Sequence, residues 1–408
     1  MMRGTSLAIF GKVPQFKTPL FVTRPYLPHK KKLKRILDEL YESRILTNNG
    51  IYARRLEERL ADLLHVKYAV LTPSATLGLQ LLVKALELKG KVLVPSFTFI
   101  ASVHSLKWEG LEPVFIDIEP DYFTINPDLL EKHFTKNTSA VMGVHIFGNP
   151  VEVETIERFC RKKNVHLIFD AAQALGSFYK DRPVGSFGIA EVFSLHATKI
   201  INTLEGGVIT TNDSKLYRKI ILMRNFGFSG YDRVECLGIN AKMNEFCAAV
   251  GLLSLDNLPR NIESNKENHR LYATYLRGLQ GLRLFRTREE CSVNYHGYPI
   301  LVTKESGITR DRLCDILWKE NIIARRYYYP ACHLMRPYNS LFPHYRGRLP
   351  VTEKISKVIL CLPCYPEMKK EDIRKIAEVI RRAFENEENV LNYYSKNKID
   401  SRLIIPRV

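Results

Sequence analysis

The sequence lacks any apolar run that is long enough to cross a membrane. Its longest uncharged stretch, Tyr68–Val83, has 16 residues and contains a proline and several polar side chains, whereas a spanning helix needs roughly 20 apolar residues. Near the start of the chain, the apolar run Leu7–Phe10 is too short for the core of a secretory signal. We therefore expect a soluble protein that makes no membrane contact.

Cysteine is sparse and scattered, with eight in 408 residues. Because no secretory signal is found, we expect reduced thiols and a cytoplasmic location. One CxxC pair, Cys361 and Cys364, has no second pair at the spacing of a zinc site. The sequence favours two thiols in a strand and a turn, and it predicts no bound metal.

A sustained basic block is also missing, although the formal net charge is +18. The excess is spread along the chain, with +8 in residues 1–255 and +10 in residues 256–408. This charge is compatible with a nucleic-acid partner and equally with an enzyme whose substrate is a phosphorylated anion. With 45% hydrophobic and 25% charged residues, the composition is that of a globular protein, and the length predicts two or three domains.

Between residues 66 and 210, strand-like runs alternate with helical stretches. The predicted strands are Lys67–Leu71, Lys91–Pro95, Pro113–Ile118, Ala140–His145 and His166–Asp170, and the predicted helices between them include Ala75–Leu88, Ile100–Glu109 and Glu152–Lys163. This alternation predicts an α/β fold with a mainly parallel sheet between helices. Ligands of such sheets bind beyond the carboxyl ends of the strands, so polar residues at those ends are candidates for a site.

The pattern changes after the apolar helix predicted at Met243–Leu255. A shorter α+β portion follows, with a strand at Tyr298–Thr303 and helices at Thr309–Glu320 and Lys370–Glu385. We predict a large domain at residues 1–255, whose first 25 or so residues are peripheral, a small domain at 256–386 and an extension at 387–408. The last 20 residues show no clear periodicity, and we expect them to be either mobile or docked on the surface.

Lys199 is the first candidate for chemistry, because it follows a strand-like run and small or hydroxyl residues surround it. A lysine in a dry pocket has a lowered pKa and can form a Schiff base with an aldehyde. An ordinary solvated lysine is the alternative.

Two further features lie at strand ends. Asp170 ends a predicted strand, where a carboxylate can keep a pyridine nitrogen protonated, as pyridoxal phosphate (PLP) requires. Pro73–Thr76 lies at a strand-to-helix turn, where free backbone N–H groups and a hydroxyl bind phosphate. Simple helix capping is the alternative for both, and the order of all three features favours the cofactor.

With these residues in place, the chain resembles the sugar aminotransferases of the DegT/DnrJ/StrS group, which are fold type I PLP enzymes. The resemblance spans roughly residues 20 to 385. It rests on separated segments, among them Leu46–Gly50, Ser74–Thr76, Pro95–Phe99, Val144–Gly148, Asp170–Gln173, Ser194–Lys199 and Leu237–Met243. It implies a large domain with a mainly parallel seven-stranded sheet between helices and a smaller α+β C-terminal domain.

Site residues are carried over by the same resemblance. Lys199 matches the catalytic lysine that holds the cofactor and moves the proton. The other residues implied to bind the cofactor are Asp170 at the pyridine nitrogen, Gln173 at the ring oxygen, Ala75, Thr76 and Ser194 at the phosphate, Phe99 stacked on the ring, and Asn240 reaching the phosphate of a neighbouring subunit. The resemblance therefore implies a homodimer with composite active sites. Many relatives have glycine at the position of Ala75 and arginine at the position of Lys242.

The implied reaction is a transamination in which glutamate donates the amino group, 2-oxoglutarate leaves, and a nucleotide-linked keto-sugar accepts the amino group. Several segments are most similar to the subgroup that converts dTDP-4-keto-6-deoxy-D-glucose into dTDP-4-amino-4,6-dideoxyglucose. Amination at C3, UDP- or GDP-linked sugars, and a non-catalytic or nucleic-acid-binding role stay open as alternatives. Relatives that dehydrate their substrates have histidine in place of the lysine, so Lys199 argues against that branch.

Candidates for substrate binding are Thr47, Asn48, His196, Lys242, Tyr329 and His333. For His196, a packed histidine with satisfied hydrogen bonds is an equal alternative. The adjacent Arg325 and Arg326 are also candidates for the diphosphate, although a solvated surface pair is the more common outcome.

Overall fold

The structure, a computed structural model, describes residues 7–397. Its strands are β1 (Leu20–Phe21), β2 (Tyr68–Thr72), β3 (Lys91–Pro95), β4 (Glu112–Ile116), β5 (Thr138–Val144), β6 (His166–Asp170), β7 (Phe178–Tyr179), β8 (Arg182–Pro183), β9 (Ala190–Ser194), β10 (Gly207–Thr211), β11 (Phe228–Gly230), β12 (Arg233–Val234), β13 (Leu282–Leu284), β14 (Cys291–Ser292), β15 (Tyr298–Val302), β16 (Ile322–Ile323) and β17 (Ile359–Leu362). Its α-helices are α1 (Lys30–Ser43), α2 (Ile51–Leu63), α3 (Ala75–Ala85), α4 (Ile100–Trp108), α5 (Leu130–His133), α6 (Val153–Lys163), α7 (Ser214–Arg224), α8 (Glu245–Leu255), α9 (Leu258–Leu276), α10 (Arg310–Lys319), α11 (Tyr338–Leu341), α12 (Pro350–Val358), α13 (Lys370–Glu385) and α14 (Glu387–Asn397).

Seven strands form the main sheet, in the order β2-β10-β9-β6-β5-β3-β4. All of its neighbouring strands are parallel except at β10, which runs antiparallel to both β2 and β9. Helices cover both faces. The predicted α/β architecture, with a mainly parallel seven-stranded sheet between helices, is confirmed.

Alternate residues of each central strand enter different cores. In β3, Val92 and Val94 pack in a cluster with side chains of α3, α4 and α7, whereas Leu93 packs in a cluster with side chains of α2, α6 and α8. Since side chains of a strand alternate between faces, this burial requires apolar residues throughout. Burial on both faces therefore explains the uninterrupted apolar runs from which these strands are predicted.

Local hydrogen bonds fix where the key helices begin. Ser74 caps α3, because its Oγ accepts a hydrogen bond from the N–H of Leu77 at 3.2 Å. Asp213 caps α7 in the same way, accepting from the N–H groups of Lys215 and Leu216. These caps pair N–H groups that a helix start otherwise leaves without partners.

The second unit is built on the antiparallel sheet β13-β15-β17 with α9, α10 and α13 around it. The final helix, α14, adds Val390 and Tyr394 to this core. Residues 387–397 of the predicted extension therefore form a helix that is docked on the second unit. Residues 398–408 of the predicted extension lie outside the described residues.

Packing crosses the boundary predicted at residue 255. Helix α9 begins in the core of the main sheet with Leu258 and ends in the second core with Leu271 and Leu276. The N-terminal segment joins the second core as well, with Leu7 and Ile9 buried there and β1 paired in parallel with β16. These first residues were expected to be peripheral to the large domain, and the structure places them on the second unit.

Candidate active site

A cavity of about 320 Å³ lies at the carboxyl ends of the parallel strands. Residues that directly follow β2, β3, β5 and β6 line it, and so does the end of β9. Tyr327 and Tyr328 of the second unit and Thr23 of the N-terminal segment close it from the other side. The cavity therefore lies where the two units meet, at the edge that the strand pattern predicted.

Lys199 and Asp170 both line this cavity. Lys199 follows β9 and is held in a tight turn, in which its N–H donates to the His196 carbonyl at 2.9 Å. Burial of its amine lowers the pKa of Lys199 to about 8, although the nearby Asp170 carboxylate acts in the opposite direction. A lysine with this pKa has an appreciable neutral fraction near neutral pH, which makes it a usable nucleophile and base.

Asp170 is a deeply buried carboxylate at the end of β6. Its Oδ2 accepts a hydrogen bond from the Ser102 hydroxyl at 2.6 Å, and its Oδ1 accepts from the N–H of Ala172 at 3.0 Å. Burial raises the pKa of the Asp170 carboxyl, while these two hydrogen bonds and the Lys199 amine oppose that shift. Within residues 7–397, no lysine or arginine forms an ion pair with this carboxylate, so it can accept a further cationic donor from the cavity.

The N-terminus of α3 forms another wall, with Ser74, Ala75 and Thr76 all lining the cavity. Gly207 of β10 lies directly against it. A Cβ atom at position 207 would be 2.5 Å from the Ala75 nitrogen. The strand can therefore approach the helix start only without a side chain at this position.

Gln173 and Phe99 also line the cavity. The Gln173 amide is held at both ends: its Nε2 donates to the Tyr328 hydroxyl at 2.8 Å, and its Oε1 accepts from the N–H of Phe147 at 2.7 Å. Phe99 is 57% exposed despite its size. A large exposed ring in a cavity wall is suited to stacking on a flat ligand.

Ser194 and His196 lie beside Lys199 in the same wall. The His196 ring has local partners, with Nδ1 at 2.8 Å from the Thr198 hydroxyl and Nε2 at 3.4 Å from the Glu205 carboxylate. His196 thus faces the cavity and has protein partners as well.

Two of the predicted substrate residues, His333 and Tyr329, lie outside the cavity lining. His333 is buried, with Nδ1 at 2.6 Å from the Ser96 hydroxyl and Nε2 at 3.2 Å from Glu353. Tyr329 packs under the guanidinium groups of Arg310 and Arg326. Both contacts are structural, and in this segment it is Tyr327 and Tyr328 that reach the cavity.

Four other predicted residues lie on the surface of the main unit, away from the cavity lining. Thr47, Asn48 and Asn240 are exposed. The Lys242 amine donates to Asn225 Oδ1 at 2.9 Å and lies 4.7 Å from the centre of the Phe226 ring. A single chain does not bring these four residues to the cavity.

Two histidines of the cavity wall were missed from the sequence. His145 follows β5, and its Nε2 lies 3.2 Å from the buried Glu191. His296 belongs to the second unit, and burial, together with Lys199, lowers its pKa to about 3, which keeps it neutral. The position of His145 directly after a strand was an available signal, whereas nothing around His296 in the sequence distinguishes it.

Among residues 7–397, no cluster of histidine, cysteine and carboxylate side chains is arranged to hold a metal ion. Cys361 lies in β17 and Cys364 lies two residues after its end, and both are buried free thiols. None of the helices in the described part of the chain is long and apolar enough to span a membrane.

These residues fit PLP. A helix start with free N–H groups suits its phosphate, a buried carboxylate without an ionic partner suits its pyridine nitrogen, and a lysine with a lowered pKa suits its aldehyde. Together with the seven-stranded sheet, they define the fold type I class of PLP-dependent transferases.

Within that class, the family follows from comparison with known proteins. Residues 29–381 match the DegT/DnrJ/EryC1/StrS aminotransferase family. The chain belongs to this family and is an aminotransferase, as the sequence predicted.

Similar proteins cover nearly the whole chain. A dTDP-4-amino-4,6-dideoxy-D-glucose transaminase from Escherichia coli is 34% identical over 88% of this chain and 97% of its own length. A GDP-perosamine synthase from Escherichia coli O157:H7 is 29% identical over 88% of this chain and 97% of its own. The crystal structure of DesI in the presence of its TDP-sugar product matches with a TM-score of 0.90 and 38% identity, covering 96% of this chain and 99% of that one.

Proposed function

We propose that this protein is a PLP-dependent aminotransferase that transfers the amino group of L-glutamate to a nucleotide-linked keto-6-deoxy sugar. The first candidate substrate is dTDP-4-keto-6-deoxy-D-glucose, with dTDP-4-amino-4,6-dideoxy-D-glucose as the product. The observation that carries the proposal is the Lys199 amine, with its lowered pKa, in one cavity with the buried Asp170 carboxylate. The 34% identical transaminase and the DesI match support the choice of sugar.

Four groups of this chain would hold the cofactor. The start of α3, with Ala75 and Thr76, would bind the phosphate together with the Ser194 hydroxyl, and Asp170 would accept a hydrogen bond from the protonated pyridine nitrogen. Phe99 would stack on the ring, and Gln173 would contact its oxygen. When bound, PLP supplies an electron sink for the electron pair that remains on a substrate carbon after its proton leaves.

Lys199 would move the proton. As a free amine, its Nζ removes the α-proton of glutamate and, in the second half of the reaction, returns a proton to the sugar carbon that receives nitrogen. General acid–base catalysis of this kind typically contributes about 10²- to 10⁴-fold. The neutral fraction that its lowered pKa provides is the condition for this role.

A homodimer would complete the site. Asn240, Thr47, Asn48 and Lys242 lie on a surface that also exposes Leu46, Phe226, Leu237 and Ile239. Exposed apolar patches of this kind are typical of protein interfaces. In such a dimer, Asn240 of one subunit would reach the cofactor phosphate of the other.

The test is a panel of dTDP-, UDP- and GDP-linked keto-sugars, each incubated with the purified enzyme, PLP and ¹⁵N-labelled glutamate. We expect the dTDP-linked 4-keto sugar to react best, giving a product with the mass of the labelled amino sugar. Reaction of 3-keto sugars alone would overturn the assignment to C4. If no sugar is aminated and glutamate leaves the visible spectrum unchanged, the proposed function is wrong.

A further inference from the structure

Helix α4 presents a buried hydroxyl to the Asp170 carboxylate. Ser102 lies in the first turn of α4 and is completely buried, as is Asp170 apart from 5% of its surface. Because water has so little access here, the hydrogen bonds of this carboxylate are set by protein groups. Ser102 supplies the shorter of the two, at 2.6 Å.

The hydroxyl of Thr98 lies within hydrogen-bond distance of the Ser102 hydroxyl. Thr98 Oγ1 lies 2.8 Å from Ser102 Oγ, and Thr98 is 1% exposed. An ionised carboxylate only accepts hydrogen bonds, so Ser102 must donate its single proton to Asp170. The Ser102 oxygen is then free to accept the proton of Thr98, which gives a directed chain from Thr98 through Ser102 to Asp170.

The Phe99 carbonyl is the competing acceptor for the Ser102 proton. It lies 3.1 Å from Ser102 Oγ, which is longer than the distance to Asp170. Charged acceptors form shorter and stronger hydrogen bonds than neutral carbonyls do. The Ser102 proton therefore faces Asp170 as long as that carboxyl is ionised.

We propose that Ser102, supported by Thr98, is a positioning residue that keeps the Asp170 carboxylate ionised and aimed into the cavity. The proposal rests on the proposed function, because the ring nitrogen stays protonated only if the proton lies on the nitrogen and the negative charge on Asp170. Without the Ser102 hydrogen bond, the carboxylate becomes more basic and draws that proton toward itself. The ring then loses its positive charge and accepts electrons less well.

Other charged or titratable groups face Asp170 and remain in place when Ser102 is changed. They are Lys199 after β9, His145 after β5 and Tyr328 of the second unit. Burial raises the pKa of the Asp170 carboxyl, and the Ser102 hydrogen bond is the largest of the effects that lower it. Removal of the Ser102 hydroxyl therefore removes the contact that most strongly opposes the rise in the pKa of Asp170.

The experiment compares wild type with Ser102→Ala by PLP titration, by the pH dependence of the visible absorbance of the loaded enzyme, and by kinetics. We expect the dissociation constant of PLP to rise about 10-fold or more, the range for a lost hydrogen bond to a charged group. The positive charge of the protonated ring lowers the pKa of the nitrogen that Lys199 contributes. When the ring loses this charge, that pKa rises, so the pH midpoint of the absorbance change should rise by about one unit. We also expect kcat to fall and KM for glutamate to stay unchanged.

Ser105→Ala is the matched control. Ser105 lies one turn further along α4, is equally buried, and donates its hydroxyl to the Ser102 carbonyl at 2.8 Å. It should leave the PLP affinity and the pH midpoint at the wild-type values. Ser102→Thr keeps the hydroxyl and should restore the midpoint.

Each outcome decides the proposal. A wild-type midpoint and PLP affinity in Ser102→Ala overturn it, and so does an equal loss in both alanine variants, which indicates a packing effect. If Ser102→Ala does not fold by circular dichroism, Thr98→Val takes its place and should move the midpoint in the same direction by a smaller amount. If wild type itself binds no PLP, it is the proposed function that fails.

Discussion

The chemistry of Lys199 depends on where its amine lies. Nothing in the side chain differs from the lysines on the surface, yet the cavity around it removes most of the water that stabilises an ammonium ion. The Asp170 carboxylate compensates for part of this loss, and the balance brings the pKa of Lys199 to about 8 from an ordinary value of 10.5. Small changes in the groups around Lys199 should therefore alter the pH range in which its amine is neutral and able to react.

One prediction concerns the pH dependence of cofactor attachment. Only the neutral amine attacks an aldehyde, so the rate of covalent PLP attachment to the cofactor-free enzyme should rise with pH. We expect its midpoint to lie at about pH 8, where half of Lys199 is neutral. Stopped-flow absorbance after mixing with PLP at a series of pH values measures this rate.

Lys199→Ala provides the control for this measurement and should show no attachment at any pH, while retaining the fold. A midpoint near pH 10.5 in the wild-type enzyme would contradict the desolvation of Lys199 in the structure.

At this scale, the structure brings some of the predicted site residues to the cavity and leaves others outside its lining. Lys199 and Asp170 follow predicted strands, and the geometry of a parallel sheet brings such residues to one edge. Tyr329 and His333 lie in an irregular segment, where no periodicity indicates which side chain points inward. The direction of His333 is set by Ser96 and Glu353, which are distant from one another in the chain.

Among the elements, the contact between β10 and α3 controls the shape of the cavity wall that we propose to bind the cofactor phosphate. Gly207 pairs with Thr72 on one side and Ser194 on the other, so that neither neighbouring strand can move away from it. The atoms that a Cβ would meet first belong to the backbone of Ser74 and Ala75. Backbone atoms, unlike the end of a flexible side chain, cannot rotate out of the way.

Gly207→Ala should therefore push the start of α3 away from the sheet. We expect a loss of about 1 to 3 kcal/mol in the free energy of unfolding, as for overpacked cores, together with a weaker affinity for PLP. Urea unfolding of the cofactor-free protein and a PLP titration measure the two effects.

Gly230→Ala serves as the comparison, because a Cβ at position 230 in β11 meets no atom within 4 Å. Equal stability and equal PLP affinity in the two variants would show that the close approach at Gly207 is not required.

The elements themselves were predictable to different degrees. Strands such as β3 and β6 were predicted at the residues where they occur, because apolar runs in a parallel sheet are buried on both faces. Helix α14 was missed because its apolar face is small. Only Val390 and Tyr394 are buried in the second core, and the Tyr394 hydroxyl binds the Asp315 carboxylate. A short helix that depends on such distant contacts leaves little periodicity to detect.

At the scale of the whole molecule, a single chain does not bring all of the predicted site residues to the cavity. The cavity holds Lys199 and Asp170, while Asn240 is exposed outside its lining. A second copy that brings its own Asn240 to this cavity would explain both the position of that residue and the apolar side chains around it. Such symmetry makes the two sites of a dimer depend on each other's residues.

Mixing two inactive variants tests this arrangement. Lys199→Ala and Asn240→Ala should each show strongly reduced activity as pure dimers. After dissociation and reassociation of an equal mixture, we expect about a quarter of the wild-type activity, because half of the dimers are mixed and each mixed dimer contains one complete site. A steady-state assay of the mixture gives the result.

Exchange of subunits is verified with differently tagged chains in the same mixture. If mixed dimers form and activity does not recover, Asn240 acts within its own chain or has no role in the site.

The N-terminal segment has a consequence for how the protein is made. Leu20 and Phe21 pair with Ile322 and Ile323, so β1 must wait after its synthesis for a partner some 300 residues later in the chain. At ordinary rates of synthesis this delay is about 15 to 60 s, and Leu7 and Ile9, which end in the same core, stay exposed for that time. The wall of the cavity that contains Thr23 can therefore close only after β16 has been synthesised, which is later than the synthesis of the sheet bearing Lys199.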